Sequence, residues 1–182
     1  MFYHVPGTPQ SVDRALFRTP DHTTDLVVEL ALSSGGRQLF ISEGTGAHGN
    51  GIGWVLTRLH VLDLGHPQRP SLNGALQSIT SERDAAYQVV ASAGTTLYVL
   101  TDRDAPRRRL VAIDLRNPAP AQWRDVIPQP SQPSEVLASV HEIGGRFVAV
   151  SMHNVQHGVR VFDLAGRLIR ELAIPPMTNG MR

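Results

Sequence analysis

Leu59-His60-Val61-Leu62-Asp63-Leu64, Leu110-Val111-Ala112-Ile113-Asp114-Leu115 and Val159-Arg160-Val161-Phe162-Asp163-Leu164 are three copies of one phrase, apolar-x-apolar-apolar-Asp-Leu. Their aspartates fall 51 and 49 residues apart. Ahead of each copy runs a glycine-led apolar stretch, at 35–41 (GGRQLFI), 94–99 (GTTLYV) and 144–150 (GGRFVAV). A repeat of about 40 to 50 residues carrying roughly four short strands is the sequence mark of propeller blades. The remaining apolar runs, such as 26–32 (LVVELAL) and 38–42 (QLFIS), are equally short and are bounded by Gly, Pro, Asp or Asn. That is the pattern of strands, and no run of ten or more residues carries the 3.6-residue period of an amphipathic helix. The chain reads as all-β.

Working outward, the repeat predicts a partial β-propeller in a single domain, 1–182: about three four-stranded antiparallel blades plus two outer strands of a preceding blade. The first blade occupies 25–80, with strands near 25–32, 37–42, 57–64 and 75–80. The second occupies 86–128, with strands near 86–92, 96–101, 108–115 and 123–127. The third occupies 136–174, with strands near 136–142, 146–152, 158–164 and 168–174. Residues 2–18 supply the outer strands, near 2–5 and 14–18, and 175–182 form a tail. Each repeat aspartate ends a third strand, where a short carboxylate bonds turn amides. Three blades and a half do not close a ring, and a terminal blade without a neighbour exposes an apolar face. The chain is therefore expected either to belong to a larger ring or to complete one by self-association through those faces.

Composition narrows the function classes. Hydrophobic residues make up 41% and charged ones 18%, a globular rather than a disordered balance. The net charge of +1 is too small for an electrostatic nucleic-acid binder. All 17 basic residues are Arg, so lysine chemistry at phosphates or Schiff bases is excluded. The absence of cysteine excludes disulfides, thiol catalysis and thiolate metal sites. No apolar run is long enough to span a membrane as a helix, and Met1 to Gly7 lacks the form of a signal peptide. Cytoplasmic and periplasmic locations both remain open, and no nucleic acid or membrane partner is expected.

A collinear series of motifs resembles the prolyl oligopeptidase family. Tyr3-His4 followed by Gly7-Thr8-Pro9-Gln10-Ser11-Val12-Asp13 is similar to the YYH-x-x-GT-x-QS-x-D segment of that family's propeller, and Pro20-Asp21-His22 follows at the family's distance. Leu32 to Arg37 resembles its LSxDGR turn, Ser42-Glu43-Gly44-Thr45 its S-x-EG-[TC] strand end, and Arg58 to Leu64 its NRLYYLDL strand. Thr101 to Pro106, Arg109 to Leu115, Trp123, Val126-Ile127-Pro128 and Val159 to Leu172 continue the match in order. The departures are a shorter 37–43 strand, a longer Gly-rich loop from Ala47 to Val55 and a proline-rich stretch at 129–134. The resemblance implies a non-catalytic propeller segment of a serine peptidase that cleaves after proline, whose ring covers the catalytic mouth and admits short peptides. The peptide substrate would be met through an α/β-hydrolase domain that these residues do not contain. The alternative is a stand-alone propeller-like interaction scaffold without enzymatic activity.

No G-x-S-x-G nucleophile elbow occurs, so no catalytic residue is assigned and the chain alone is expected to be inactive. Gly44-x-Gly46-x-x-Gly49 matches a dinucleotide fingerprint in letters only, because it leads into another strand rather than a helix that could receive a pyrophosphate. No cofactor is expected. His153-x-x-x-His157 has a metal-like spacing only on a helix, and here it spans a hairpin, so no metal site is expected. Arg107-Arg108-Arg109 and Arg103, interleaved with Asp102 and Asp104, read as a self-neutralised, solvated hairpin. If that loop meets substrate, Arg103 could hold a peptide carboxylate. The resemblance places the position of Thr45 on the propeller side of the substrate cavity, with Glu43 beside it. Glu43, Thr45 and Arg103 are therefore the candidate substrate-facing residues. Trp54 and Trp123 read as packing or rim residues.

Overall fold

The computed structural model describes residues 1–19, 25–49, 55–154 and 156–173. Pro20-Asp21-His22, Trp54, most of the Gly-rich loop and the 175–182 tail lie outside them. The described chain is built of strands, and its helical turns are two single 3-10 turns, Gln10–Val12 and Pro120–Gln122. Among the described residues no helix is long and apolar enough to cross a membrane.

Strands β1 (Phe2–Tyr3) and β2 (Arg14–Ala15) pair as an antiparallel ribbon. The first four-stranded sheet holds β3 (Asp25–Leu32), β4 (Gln38–Gly49), β5 (Val55–Asp63) and, after a small ribbon of β6 (Gly65–His66) and β7 (Arg69–Pro70), β8 (Leu76–Ser78). The second sheet is β9 (Tyr87–Ala93), β10 (Thr96–Thr101), β11 (Arg109–Asp114) and β12 (Arg124–Ile127). The third is β13 (Glu135–Glu142), β14 (Arg146–His153), β15 (Gln156–Asp163) and β16 (Leu168–Leu172). Every pairing is antiparallel and each sheet runs in chain order, the meander of a propeller blade. The architecture is a partial β-propeller.

Strand alternation explains the stacking, because successive side chains point to opposite faces. On β10 and β11, Leu97, Val99, Val111 and Ile113 join Phe40, Leu59 and Val61 of the first sheet in one core. The intervening Tyr98, Leu100, Leu110 and Ala112 join Leu137, Val140, Phe147 and Ala149 of the third sheet in another. The second sheet is thus buried on both faces, and Tyr98 meets Phe147 edge-on with ring centroids 4.9 Å apart.

The repeat aspartates close the turns that follow the third strands. The carboxylates of Asp63, Asp114 and Asp163 accept from the amides of Gly65, Arg116 and Ala165, two residues on in each case, at 2.8 to 3.0 Å. In the last of these turns Gly166, at φ +86°, lies so close to the second sheet that a Cβ would sit 1.9 Å from the Val126 carbonyl oxygen.

Some strand limits differ from expectation. β4 runs to Gly49 rather than ending near residue 42, and Gly49 pairs with Val55, so residues 43–49 continue the strand. Without side chains its glycines offer no sequence pattern of alternation, which hid the extension. The N-terminal strands are two residues each, shorter than 2–5 and 14–18. The β6–β7 ribbon, built around Pro67, had no apolar pattern to announce it.

Truncating a side chain at a sheet–sheet core and one on an outer face gives opposite outcomes. Phe147 is fully buried and Leu32 is 63% exposed. Phe147→Ala is expected to lower the unfolding free energy by about 3–5 kcal/mol, and Leu32→Ala by no more than about 0.5 kcal/mol, measured by urea denaturation.

Candidate functional site

Adjacent sheets meet along their lengths. At one end, where β3 turns into β4 and β9 into β10, the Ser34 hydroxyl donates to the Ser92 carbonyl. At the opposite end lie the β4–β5 and β10–β11 hairpins, and the candidate residues sit there. Glu43 is on β4 and Arg103 follows β10. Thr45 pairs through its backbone with Asp25 at the start of β3.

The connector from the first sheet to the second ties these residues together through Arg83-Asp84. Arg83 turns to the first sheet, forming an ion pair with Asp25 and lying 3.9 Å from Glu43. Asp84 turns to the second sheet, forming an ion pair with Arg103 and accepting from the Tyr87 hydroxyl at 2.5 Å. Glu43 and Arg103 are therefore the two ends of one chain of charges that crosses the sheet junction. The sequence reading missed Arg83, Asp84 and Tyr87, because a charged dipeptide in a connector looks like solvated loop until its partners are known.

Glu43 is fully buried. Arg58 approaches it at 3.3 Å and the His60 Nε2 at 3.4 Å, both from β5. None of these contacts has hydrogen-bond geometry among the described residues, so the carboxylate is held by surrounding charge rather than by direct bonds. His60 also faces Ser78 of β8, at 3.1 Å from its Nδ1, and the ring of Phe17 in the N-terminal segment, 5.4 Å between centroids. Burial pushes the His60 pKa below its ordinary value of 6.5, with Glu43 opposing the shift and Arg58 reinforcing it.

Arg103 is equally committed. It donates to the Tyr87 hydroxyl at 3.1 Å, lies 3.8 Å from Asp104, and stands 5.9 Å from the ring centroid of Trp123. The Tyr87 bond and the neighbouring carboxylates raise its pKa, while burial and the Asp84 carboxylate push the Tyr87 hydroxyl up. Trp123 packs on the first core, meets Tyr87 edge-on and donates to the Pro118 carbonyl at 2.8 Å. It is a packing residue.

The solvated-hairpin reading of the arginine loop is corrected. Arg108 is 8% exposed and donates to the Ala138 carbonyl at 3.1 Å, and Arg107 donates to the Pro130 carbonyl at 2.9 Å. Arg109 pairs with Asp125 at 3.0 Å. The guanidinium groups reach to other segments because backbone carbonyls at the second and third sheets need donors there. Asp102 is likewise used structurally, accepting from the Ala86 amide at 2.8 Å. His153 and His157 lie on facing strands, opposite Gln156 and Met152 respectively, and no cluster of potential metal ligands occurs among the described residues.

Three sheets stacked through both faces of the middle one, with a bridge of charges across the first junction, define a segment of a propeller ring. A profile described as the prolyl oligopeptidase N-terminal β-propeller domain matches residues 1–180, and the chain belongs to that family. It is 29% identical over 181 residues to a prolyl endopeptidase of Elizabethkingia meningoseptica, covering 98% of this chain and 23% of that protein. It is 24% identical over 173 residues to prolyl oligopeptidase A of Galerina marginata, covering 95% of this chain and 22% of that one. A solved structure from a study of two prolyl endopeptidases and their inter-domain dynamics superposes with a TM-score of 0.79 at 25% identity, over 96% of this chain and 23% of that one. The apo structure of prolyl oligopeptidase B from Galerina marginata gives the same TM-score at 24% identity, over 95% and 23%. The chain thus spans about a quarter of the length of these relatives.

Two measurements probe the charged cluster. Arg83→Met takes a cation from two buried carboxylates and is expected to cost about 3 kcal/mol of stability, read by chemical denaturation. His60 binds a proton more readily unfolded than folded, so its contribution is complete above pH 6.5 and is lost as the pH falls through its lowered folded pKa. Stability should therefore fall on acidification from pH 7 to 5, and the fall should be shallower in His60→Gln.

Proposed function

We propose that this chain is wall and gate of a peptidase ring: a non-catalytic propeller segment that shields the active site of a prolyl oligopeptidase-like serine peptidase and limits access to short proline-containing peptides. The observation that carries this reading is the bare face of the third sheet. Val148, Val150, Met152, Val159 and Leu172 point away from the second sheet, and Met152 and Leu172 are 37% and 38% exposed. Blades bury such faces against a neighbouring blade, so this face suits a larger ring.

In this reading the Thr45 position and Arg103 lie on the peptide side of the segment, with the buried Glu43 behind them. Arg103 has Asp84 and Asp104 beside it, so it contributes oriented donors more than net charge, suited to a peptide carbonyl or carboxylate. Glu43 fixes the base of the β4–β5 arm from within and acts through Thr45 rather than by contact. The ring excludes water and bulky polypeptide; bond cleavage belongs to the catalytic domain.

The test is a chimaera in which residues 1–182 replace the matching segment of the Elizabethkingia meningoseptica enzyme. A soluble chimaera is expected to cleave short proline-containing peptides and to leave long polypeptides intact. Arg103→Ala in that chimaera should raise KM about threefold or more with little change in kcat, the loss of a substrate-binding hydrogen bond. A soluble chimaera that cleaves long and short substrates at equal rates would overturn the gating.

A further inference from the structure

A cleft of about 450 Å³ opens between the connector that follows β12 and the inner face of the third sheet. Its floor is apolar, made by Ile127, Leu137, Ala149 and Phe162, with the half-exposed Leu168 at its mouth. One wall is the prolyl connector Pro128-Gln129-Pro130, held in place by the Arg107 bond to the Pro130 carbonyl. The opposite wall carries Arg160, whose guanidinium is fixed between two carboxylates, Glu135 at 2.7 Å and Glu171 at 2.6 Å.

Those groups set the class of ligand. Arg160 with Glu135 and Glu171 sums to one negative charge, which disfavours an anion. Arg160 and Glu171 stand side by side at the rim, a fixed donor next to an acceptor. A peptide unit presents the complementary pair, a carbonyl oxygen and an amide hydrogen a short distance apart. The apolar floor below has room for one side chain of leucine or phenylalanine size. Glu135 is kept ionised despite its burial: desolvation raises its pKa, but hydrogen bonds from Ser151 and Arg160 outweigh that and hold it below its ordinary value. The guanidinium therefore stays anchored near neutral pH rather than swinging free.

We propose that this cleft is a binding site for a neutral peptide segment, taking a bulky apolar side chain onto Phe162 and Leu168 and its peptide unit onto Arg160 and Glu171. The site is independent of the gating reading, since none of its residues lies at the Glu43–Arg103 junction.

The test is a 1H–15N NMR titration of the 182-residue chain with N-acetyl-leucinamide, with N-acetyl-glycinamide as the probe lacking a side chain. Saturable shifts confined to the amides around Ser151, Phe162 and Leu168 are expected from the leucine probe and not from the glycine probe. Leu168→Asp should weaken binding about tenfold or more, equivalent to about 1.4 kcal/mol. Glu171→Ala, on a side chain 63% exposed and therefore safe for folding, should also weaken it. No saturable shift with the leucine probe, equal saturation by the glycine probe, or unchanged affinity in both variants would overturn the proposal.

Discussion

The structure depends on burying the second sheet from both sides. A four-stranded antiparallel sheet with one apolar face needs one neighbour, whereas β10 and β11 carry apolar residues at every position from Leu97 to Leu100 and from Leu110 to Ile113. Such a sheet is insoluble by itself and needs two neighbours, and the two cores that result are what join three otherwise local meanders. Contacts within each sheet are short in sequence, so each meander can form early. The cores then add the long-range cooperativity that the meanders lack.

That division of labour explains what the sequence revealed. The three apolar-x-apolar-apolar-Asp-Leu phrases were legible because both parts of the phrase act locally: the alternation sets a strand, and the aspartate closes the turn two residues later. The Gly-rich arm of β4 was not legible, since glycine has no side chain with which to alternate. The charged junction between the first two sheets was legible only in part. Glu43 could be named from resemblance and Arg103 from the local arginine cluster, but their link through Arg83 and Asp84 spans tens of residues and leaves no local trace. The Arg107–Arg109 run misled for the same reason: a string of cations beside two aspartates looks self-neutralised, whereas Arg107 and Arg108 serve carbonyls of distant segments.

Polarity is distributed unevenly between the two ends of the sheets. At the β3–β4 and β9–β10 end, the side-chain links between the first and second sheets among the described residues are neutral: the Ser34 hydroxyl donates to the Ser92 carbonyl and the Gln77 amide to the Leu115 carbonyl. At the hairpin end the same junction carries buried or half-buried charges: Asp25, Glu43, Arg58, Arg83, Asp84 and Arg103. Charges of this kind gain little stability over apolar packing once desolvation is counted. Their value is directional. An apolar junction tolerates small slides between sheets, whereas a guanidinium between two carboxylates fixes one register and penalises the others.

The consequence is a seam with one end tied by neutral hydrogen bonds and the other by ion pairs. Core packing between the sheets supplies the energy that holds them together, and the Arg83-Asp84 bridge selects which of the nearly equivalent stackings is occupied at the hairpin end. Because Arg83 and Asp84 are adjacent, neither sheet can shift at that end without straining the pair held by the other. The β4–β5 arm and the Arg103 loop are therefore positioned as a unit, although they belong to different sheets and share no direct bond among the described residues. A surface assembled from two repeats acquires the rigidity of a single element by this means.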